Sequence, residues 1–263
     1  MENKVAVVTG GNSGIGKYTA DALKARGCTV YELSRRNIEN KGILHITDDV
    51  SDEVQVVSAI ERIINEQGRI DIVINCAGFG ISGAVEFTKL TDAKMQFDVN
   101  FFGTVNVNKA VIPHMRKNGG RIVNISSVAA VAHIPFQTYY SATKAAIESY
   151  TCALANEVRA FGISVTAIQP GDICTPFTQS RKKSFDGDDI YNGRISRSVS
   201  GMEKDEQKGM SPEVAGNYIA KTALKKKVKP LYAIGFSYKI LSVLCKTFPC
   251  SFRNRIVGML YAK

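Results

Sequence analysis

Tyr140 and Lys144 are the residues of this 263-residue chain whose types and spacing most directly offer chemistry. The Ala-rich run from about Gln137 to Arg159 predicts a helix, and a spacing of four stacks the phenol and the ammonium one turn apart. A phenol ordinarily titrates near ~10. A positive charge a few ångströms away favours the phenolate and moves Tyr140 towards general acid–base work near neutral pH. Such pairs are common on solvent-facing helices, so the pair needs partners. Two hydroxyls are available: Ser126 and Ser127 end the strand-like run that starts at Arg121, behind the break at Gly119-Gly120.

The elements that must position these groups follow one another from the N-terminus. Lys4–Thr9 reads as a short β-branched strand, and Gly10-Gly11-Asn12-Ser13-Gly14-Ile15-Gly16 reads as a glycine loop opening a helix that runs to about Ala25. Glycines let the backbone approach a ligand closely, and the helix N-terminus offers free N–H groups and a positive dipole end to a pyrophosphate. Strand, loop and helix together predict a dinucleotide site. The next strand, Thr29–Leu33, runs into Ser34-Arg35-Arg36. A carboxylate at that strand end would hold both adenosine ribose hydroxyls of NAD, whereas neutral Ser34 and the guanidinium of Arg35 suit a 2′-phosphate, which favours NADP(H) over NAD(H). That preference requires the nearby Glu32 to point away from the site; otherwise Arg35 and Arg36 are solvated loop charges.

Further strands are expected at Ile43–Thr47, Ile70–Ile74, Arg121–Ser127 and Ser164–Gln169, and a last one near Leu231–Ile234. Ser51 or Asp52 is placed to cap a helix reaching about Gln67, and Asp49, followed by Val50, lies where an adenine amino group would be recognised. The small residues of Asn75-Cys76-Ala77-Gly78, at a strand's C-terminal end, make room for a cofactor. A helical pattern covers about Thr91–Lys117, in whose interior Asn100 marks a surface position or a local kink. Strands alternating with helices predict an α/β fold, a doubly wound parallel sheet in three α/β/α layers.

Composition sets the class. Hydrophobic residues at 44% and charged residues at 22% are ordinary for a globular protein, with no apolar run long enough to span a bilayer. The strand-like start leaves no room for a signal peptide, so a cytoplasmic location is expected. Six cysteines without paired spacing and three dispersed histidines argue against a disulfide framework and predict no metal site. The net charge of +10 arises entirely beyond residue 180: residues 181–263 carry 17 Lys/Arg against 7 Asp/Glu, and no acidic residue follows Glu213.

Taken in order, Thr9-Gly10-x-x-x-Gly14-x-Gly16, Asn75-x-Ala77-Gly78, Asn100, Ser127, Tyr140-x-x-x-Lys144 and Pro170-Gly171-x-Ile173-x-Thr175 closely resemble the classical short-chain dehydrogenase/reductase family over residues 3–176. The resemblance implies a single NAD(P)-binding Rossmann-like domain and carbonyl/alcohol oxidoreduction without a metal. It implies Tyr140 as the proton donor, Lys144 as the group that lowers its pKa and holds the nicotinamide ribose, and Ser127 as the hydrogen-bond donor to the carbonyl oxygen. Asn100 would position a water linking Lys144 to solvent. Ile173 and Thr175, after Pro170 and Gly171, resemble the residues that fix the carboxamide. Cys76 stands where the family commonly has Asn.

Residues 177–210 lack a clean period and are expected to form the substrate lid. Ser211-Pro212-Glu213 predicts a helix start. Residues 236–263 form a basic, apolar extension similar to that of members acting on lipophilic alcohols, including steroid and retinol dehydrogenases. The extension covers the cleft, touches a membrane surface, or simply packs on the domain. The expected activity is an NADP(H)-dependent conversion between a ketone or aldehyde and a secondary alcohol, on a lipophilic substrate such as a steroid. A 3-oxoacyl-type reductase and a non-catalytic NADP-binding sensor or scaffold are the alternatives. No nucleic-acid partner is expected. The small residues Ala142, Ala145, Ala146, Ser149 and Ala153 would permit close helix approach in a homodimer or homotetramer.

Overall fold

The computed structural model describes residues 3–37 and 42–262. Its elements are β1 (Val5–Thr9), α1 (Gly14–Lys24), β2 (Thr29–Ser34), β3 (Leu44–Thr47), α2 (Glu53–Gln67), β4 (Ile72–Asn75), β5 (Ile81–Ser82), α3 (Leu90–Phe97), α4 (Gly103–Met115), β6 (Gly120–Ile125), α5 (Ala129–Ala132), α6 (Thr138–Glu157) and β7 (Ile163–Gln169). They continue with α7 (Phe177–Ser180), β8 (Lys182–Lys183), α8 (Arg194–Gln207), α9 (Pro212–Ala223), β9 (Leu231–Ala233), α10 (Phe236–Thr247) and α11 (Cys250–Tyr261). Seven strands form one sheet in the order β3-β2-β1-β4-β6-β7-β9, with every neighbouring pair parallel.

Alternation along β1 shows why the sheet is covered on both faces. Val5 and Val7 join Val56, Ile60 and Ile63 of α2 and Val107, Val111 and Met115 of α4. Ala6 and Val8 turn the other way, onto Ala20 and Leu23 of α1 and Ala215, Ile219 and Ala220 of α9. The chain is therefore a three-layer, doubly wound α/β domain. Its strand order reverses about β1, and a crevice opens at the C-terminal ends of β1 and β4.

Several boundaries have visible causes. The Asp52 carboxylate caps α2 by accepting from the N–H groups of Val54 and Gln55, and Gly68, with φ 71°, ends that helix in the left-handed conformation. The helix expected over Thr91–Lys117 is divided: a π-helical turn, Asp98–Phe102, separates α3 from α4 and places Asn100 in the kink. Residues 177–210 carry α7, β8 and α8, joined by turns. β8 pairs with β5, and α8 carries Ile195, Val199 and Met202 into a small core with Phe136 and Ala84.

Behind the crevice, four buried polar side chains knit the sheet to its helices. Asn75 of β4 donates to Asn108 of α4 at 2.7 Å and to Asn124 of β6 at 2.8 Å, and Asn124 donates to Thr151 of α6 at 2.9 Å. Removing Asn124 strands the groups that face it. Asn124→Ala should lower unfolding stability by about 2–4 kcal/mol in urea titration; a loss under about 0.5 kcal/mol would show the network to be dispensable.

Candidate active site

The glycine loop is a bare-backbone cradle. A Cβ on Gly16 would meet the Gly10 carbonyl oxygen at 2.3 Å, which excludes a side chain there, and Gly10 and Gly14 have φ of 64° and 50°, where a side chain would be strained. Ser13 makes no side-chain cap on α1, and no acidic residue lies in the first turn, so the N–H groups there face the crevice unanswered. These features fit the pyrophosphate of a dinucleotide. The Thr9 hydroxyl accepts from the N–H groups of Cys76 and Ala77 at 3.0 and 3.1 Å and fixes the neighbouring strand end.

The cleft gathers most of the sequence-selected residues. Gly10, Ser13, Gly14, Ile15, Gly16, Ala77 and Gly78 line one part of it; Ser127, Tyr140, Lys144, Pro170, Gly171, Ile173 and Thr175 line another. Asn12, Ser34, Arg35, Asp49, Val50, Asn75 and Asn100 lie off this lining. Asn12 donates to the Arg36 carbonyl, the Asp49 carboxylate accepts from Ser51, Val50 packs against Gly103, and Asn75 is committed to the asparagine network. Arg35 and Arg36 are both exposed, and of the two it is Arg36 that lines the cleft. Glu32 does not point away. It is buried beneath Gly11, takes a hydrogen bond from Ser34 at 3.1 Å, and pairs with His45 across the sheet.

Tyr140 and Lys144 rise from α6 as the spacing predicts, with the Lys144 nitrogen 5.6 Å from the phenol ring centre. Lys144 is buried and donates to the Ile125 carbonyl at 2.8 Å. The two serines separate. Ser126 turns to the Lys144 carbonyl and Glu148, at 3.0 and 2.9 Å, whereas the Ser127 hydroxyl accepts from the Ala129 N–H at 3.1 Å and lines the cleft with Tyr140. The direction of the phenol's shift differs from the sequence expectation. Burial pushes Tyr140 up to about 12, opposed by Ser127 and Arg181 and reinforced by Glu206. Burial likewise pushes Lys144 down to about 8. Desolvation dominates at both groups, and the ammonium is aimed at the Ile125 carbonyl.

Asn100 acts on the backbone beside Lys144. Its carboxamide accepts from the Phe79 N–H at 2.9 Å and donates to the Phe79 carbonyl at 3.0 Å, and a Cβ on Gly78 would sit 3.0 Å from its oxygen. Gln96, absent from the sequence-based selection, donates to the same carbonyl.

The substrate side was least readable from sequence. Phe177 lies 5.6 Å from the Tyr140 ring, and behind it Arg181 pairs with Glu206. Ile134, Met202, Asp205, Glu206 and Tyr261 complete the wall. Tyr238 covers Gly171 and donates to Asp172 at 2.5 Å. None of these positions shares a period or motif with Ser127, Tyr140 and Lys144. The only available cue was the concentration of aromatic residues in the tail.

Comparison with known proteins agrees with this geometry. A family model described as short chain dehydrogenase matches residues 4–185. The chain is 42% identical over 247 residues to a protein of Bacteroides thetaiotaomicron named 3-ketodihydrosphingosine reductase, covering 90% of this chain and 92% of that one. A crystal structure of a short-chain dehydrogenase from Streptomyces avermitilis superposes with a TM-score of 0.84 at 27% identity, covering 98% of this chain and 96% of that chain. A structure titled ElxO with NADP bound does so with a TM-score of 0.76 at 28% identity, covering 90% of this chain and 99% of that chain. The chain belongs to the short-chain dehydrogenase/reductase family, and it is an oxidoreductase of the nicotinamide-dependent kind.

Proposed function

We propose that the protein reduces a lipophilic ketone to a secondary alcohol with NADPH, and that the ketone is a long-chain amino ketone of the type for which the Bacteroides relative is named. The observation that carries the reading is the Ser127–Tyr140–Lys144 constellation at the ends of β6 and α6, facing a glycine cradle across one cleft. The nicotinamide supplies hydride to the carbonyl carbon. Negative charge then grows on the carbonyl oxygen, where the Ser127 hydroxyl donates a hydrogen bond and the Tyr140 phenol delivers the proton. A phenol near 12 is fully protonated at neutral pH, as an acid awaiting a developing alkoxide must be. Lys144, charged below about 8, stabilises the phenolate left behind and holds the nicotinamide ribose.

Substrate class rests on the wall beyond Tyr140. Ile134, Phe177, Met202 and Tyr261 supply apolar surface, and the charges left uncompensated there are Asp172 and Asp205, because Glu206 is paired with Arg181. A net negative wall suits a neutral or cationic head group better than an anionic one. This favours an amino ketone over a 3-oxoacyl group on a phosphorylated carrier. NADPH is favoured by Arg36 on the cleft wall and Arg35 beside it. Glu32 tempers that preference, because its carboxylate lies under the loop, although His45 partners it. A second copy would pack on α6, whose Ala142, Ser149 and Ala153 are exposed.

In a panel assay of NADPH oxidation, the long-chain amino ketone should exceed both a steroid ketone and a 3-oxoacyl thioester in kcat/KM by roughly 100-fold; preference for the thioester would overturn the substrate assignment. Tyr140→Phe should lower kcat by about 10³-fold with NADPH affinity nearly unchanged, while Lys144→Ala should weaken both, as read by steady-state kinetics and fluorescence titration. Arg36→Ala should raise the KM for NADPH about ten-fold and leave that for NADH in place; an equal effect on both cofactors would remove the 2′-phosphate role.

A further inference from the structure

The two C-terminal helices turn their apolar stripes outward. In α10 the exposed apolar positions are Phe236, Ile240, Val243 and Leu244; in α11 they are Phe252, Ile256, Met259 and Leu260. Both sets repeat the same helical spacing, which places each on one stripe. In a helix that only caps a domain, such a stripe faces the core. Here the buried positions are Ser242 and Cys245 in α10 and Val257 in α11. Phe248 and Phe252, with ring centres 5.2 Å apart, join the two stripes into one surface. A contiguous surface of this kind marks an interaction site, unlike singly scattered apolar side chains.

Charge selects the occupant. Lys239, Lys246 and Arg255 are exposed on the same two helices, and the chain has no acidic residue after Glu213. A two-fold contact between copies of this surface would bring those cations together with no carboxylate from either tail to offset them. An anionic lipid surface offsets them and accepts the apolar stripe. The placement also matters: Tyr261, at the end of α11, lines the catalytic cleft, while Leu260 beside it is exposed.

We propose that α10 and α11 form a docking surface for anionic phospholipid bilayers, seating the cleft beside the membrane from which a lipophilic ketone is drawn. Substrate delivery rests on the ketone-reductase reading; membrane binding does not. No helix among the described residues is long and apolar enough to cross a membrane, so the contact is peripheral.

The test is flotation of the full-length protein with vesicles of phosphatidylcholine containing about a quarter phosphatidylglycerol, compared with phosphatidylcholine alone. The wild type should float with the mixed vesicles, and binding should fall by about ten-fold or more on phosphatidylcholine alone or in high salt. The triple variant Phe236→Glu, Val243→Glu, Leu260→Glu alters side chains that are 81%, 59% and 64% exposed. It should lose flotation by at least about ten-fold while keeping its melting temperature and its turnover of a short, water-soluble ketone. Absence of wild-type flotation, or equal flotation of the variant, overturns the proposal. So does a wild-type dimer that the triple substitution converts to monomer without any flotation, which assigns the face to a second copy. Tyr140→Phe should float like the wild type, so a failed reductase reading and a failed docking surface give different results.

Discussion

The Lys144 ammonium, buried and bonded to the Ile125 carbonyl, ties the middle of α6 to the end of β6, and the rest of the site is arranged about that tie. A charge removed from water must be answered by oriented oxygen atoms. The carbonyl supplies one, and Asn100, by clamping Phe79, sets the backbone on the other side of the ammonium. Ser126 and Glu148 close the same helix onto the strand from below. With α6 thus held, Tyr140 and Ser127 meet without further adjustment. Desolvation then explains both shifts together: it raises the phenol and lowers the ammonium.

The fold was legible because each of its local signals agreed with the others. Parallel strands buried on both faces read as β-branched runs, the glycine loop stood between a strand and a helix, and Asp52 announced the start of α2. Tyr140 and Lys144 were legible because a helix converts a spacing of four into proximity. The roles of Ser126 and Ser127 were harder to separate, since adjacent residues at a strand end differ only in which way each turns. The π-helical turn at Asp98–Phe102 interrupts a continuous helical pattern and leaves no sequence mark except a polar Asn in its interior.

Residues 177–210 and the tail were less legible for a different reason. Arg181 and Glu206 are 25 positions apart and meet only because α7 and α8 fold over the cleft. Their pairing belongs to tertiary structure, with no periodicity to betray it. The tail gave a readable composition and an unreadable orientation. An amphipathic pattern predicts that one face is buried, and in α10 and α11 the apolar face is the one left outside. Burial is instead supplied by Ser242 and Cys245 of α10 and Val257 of α11, together with Tyr238 over Gly171 and Tyr261 at the cleft, contacts that a hydropathy pattern does not encode.

On the proposed reading, a hydride acceptor's carbonyl oxygen lies between Ser127 and Tyr140. The direct measurement of that placement is a single turnover with NADPH deuterated at the transferring position of C4 and a long-chain amino ketone, the product being examined by NMR. Deuterium on the carbinol carbon, with a primary isotope effect on the hydride step, is the predicted result. Oxidation of the cofactor without label in the alcohol, or no turnover of any ketone, would contradict it.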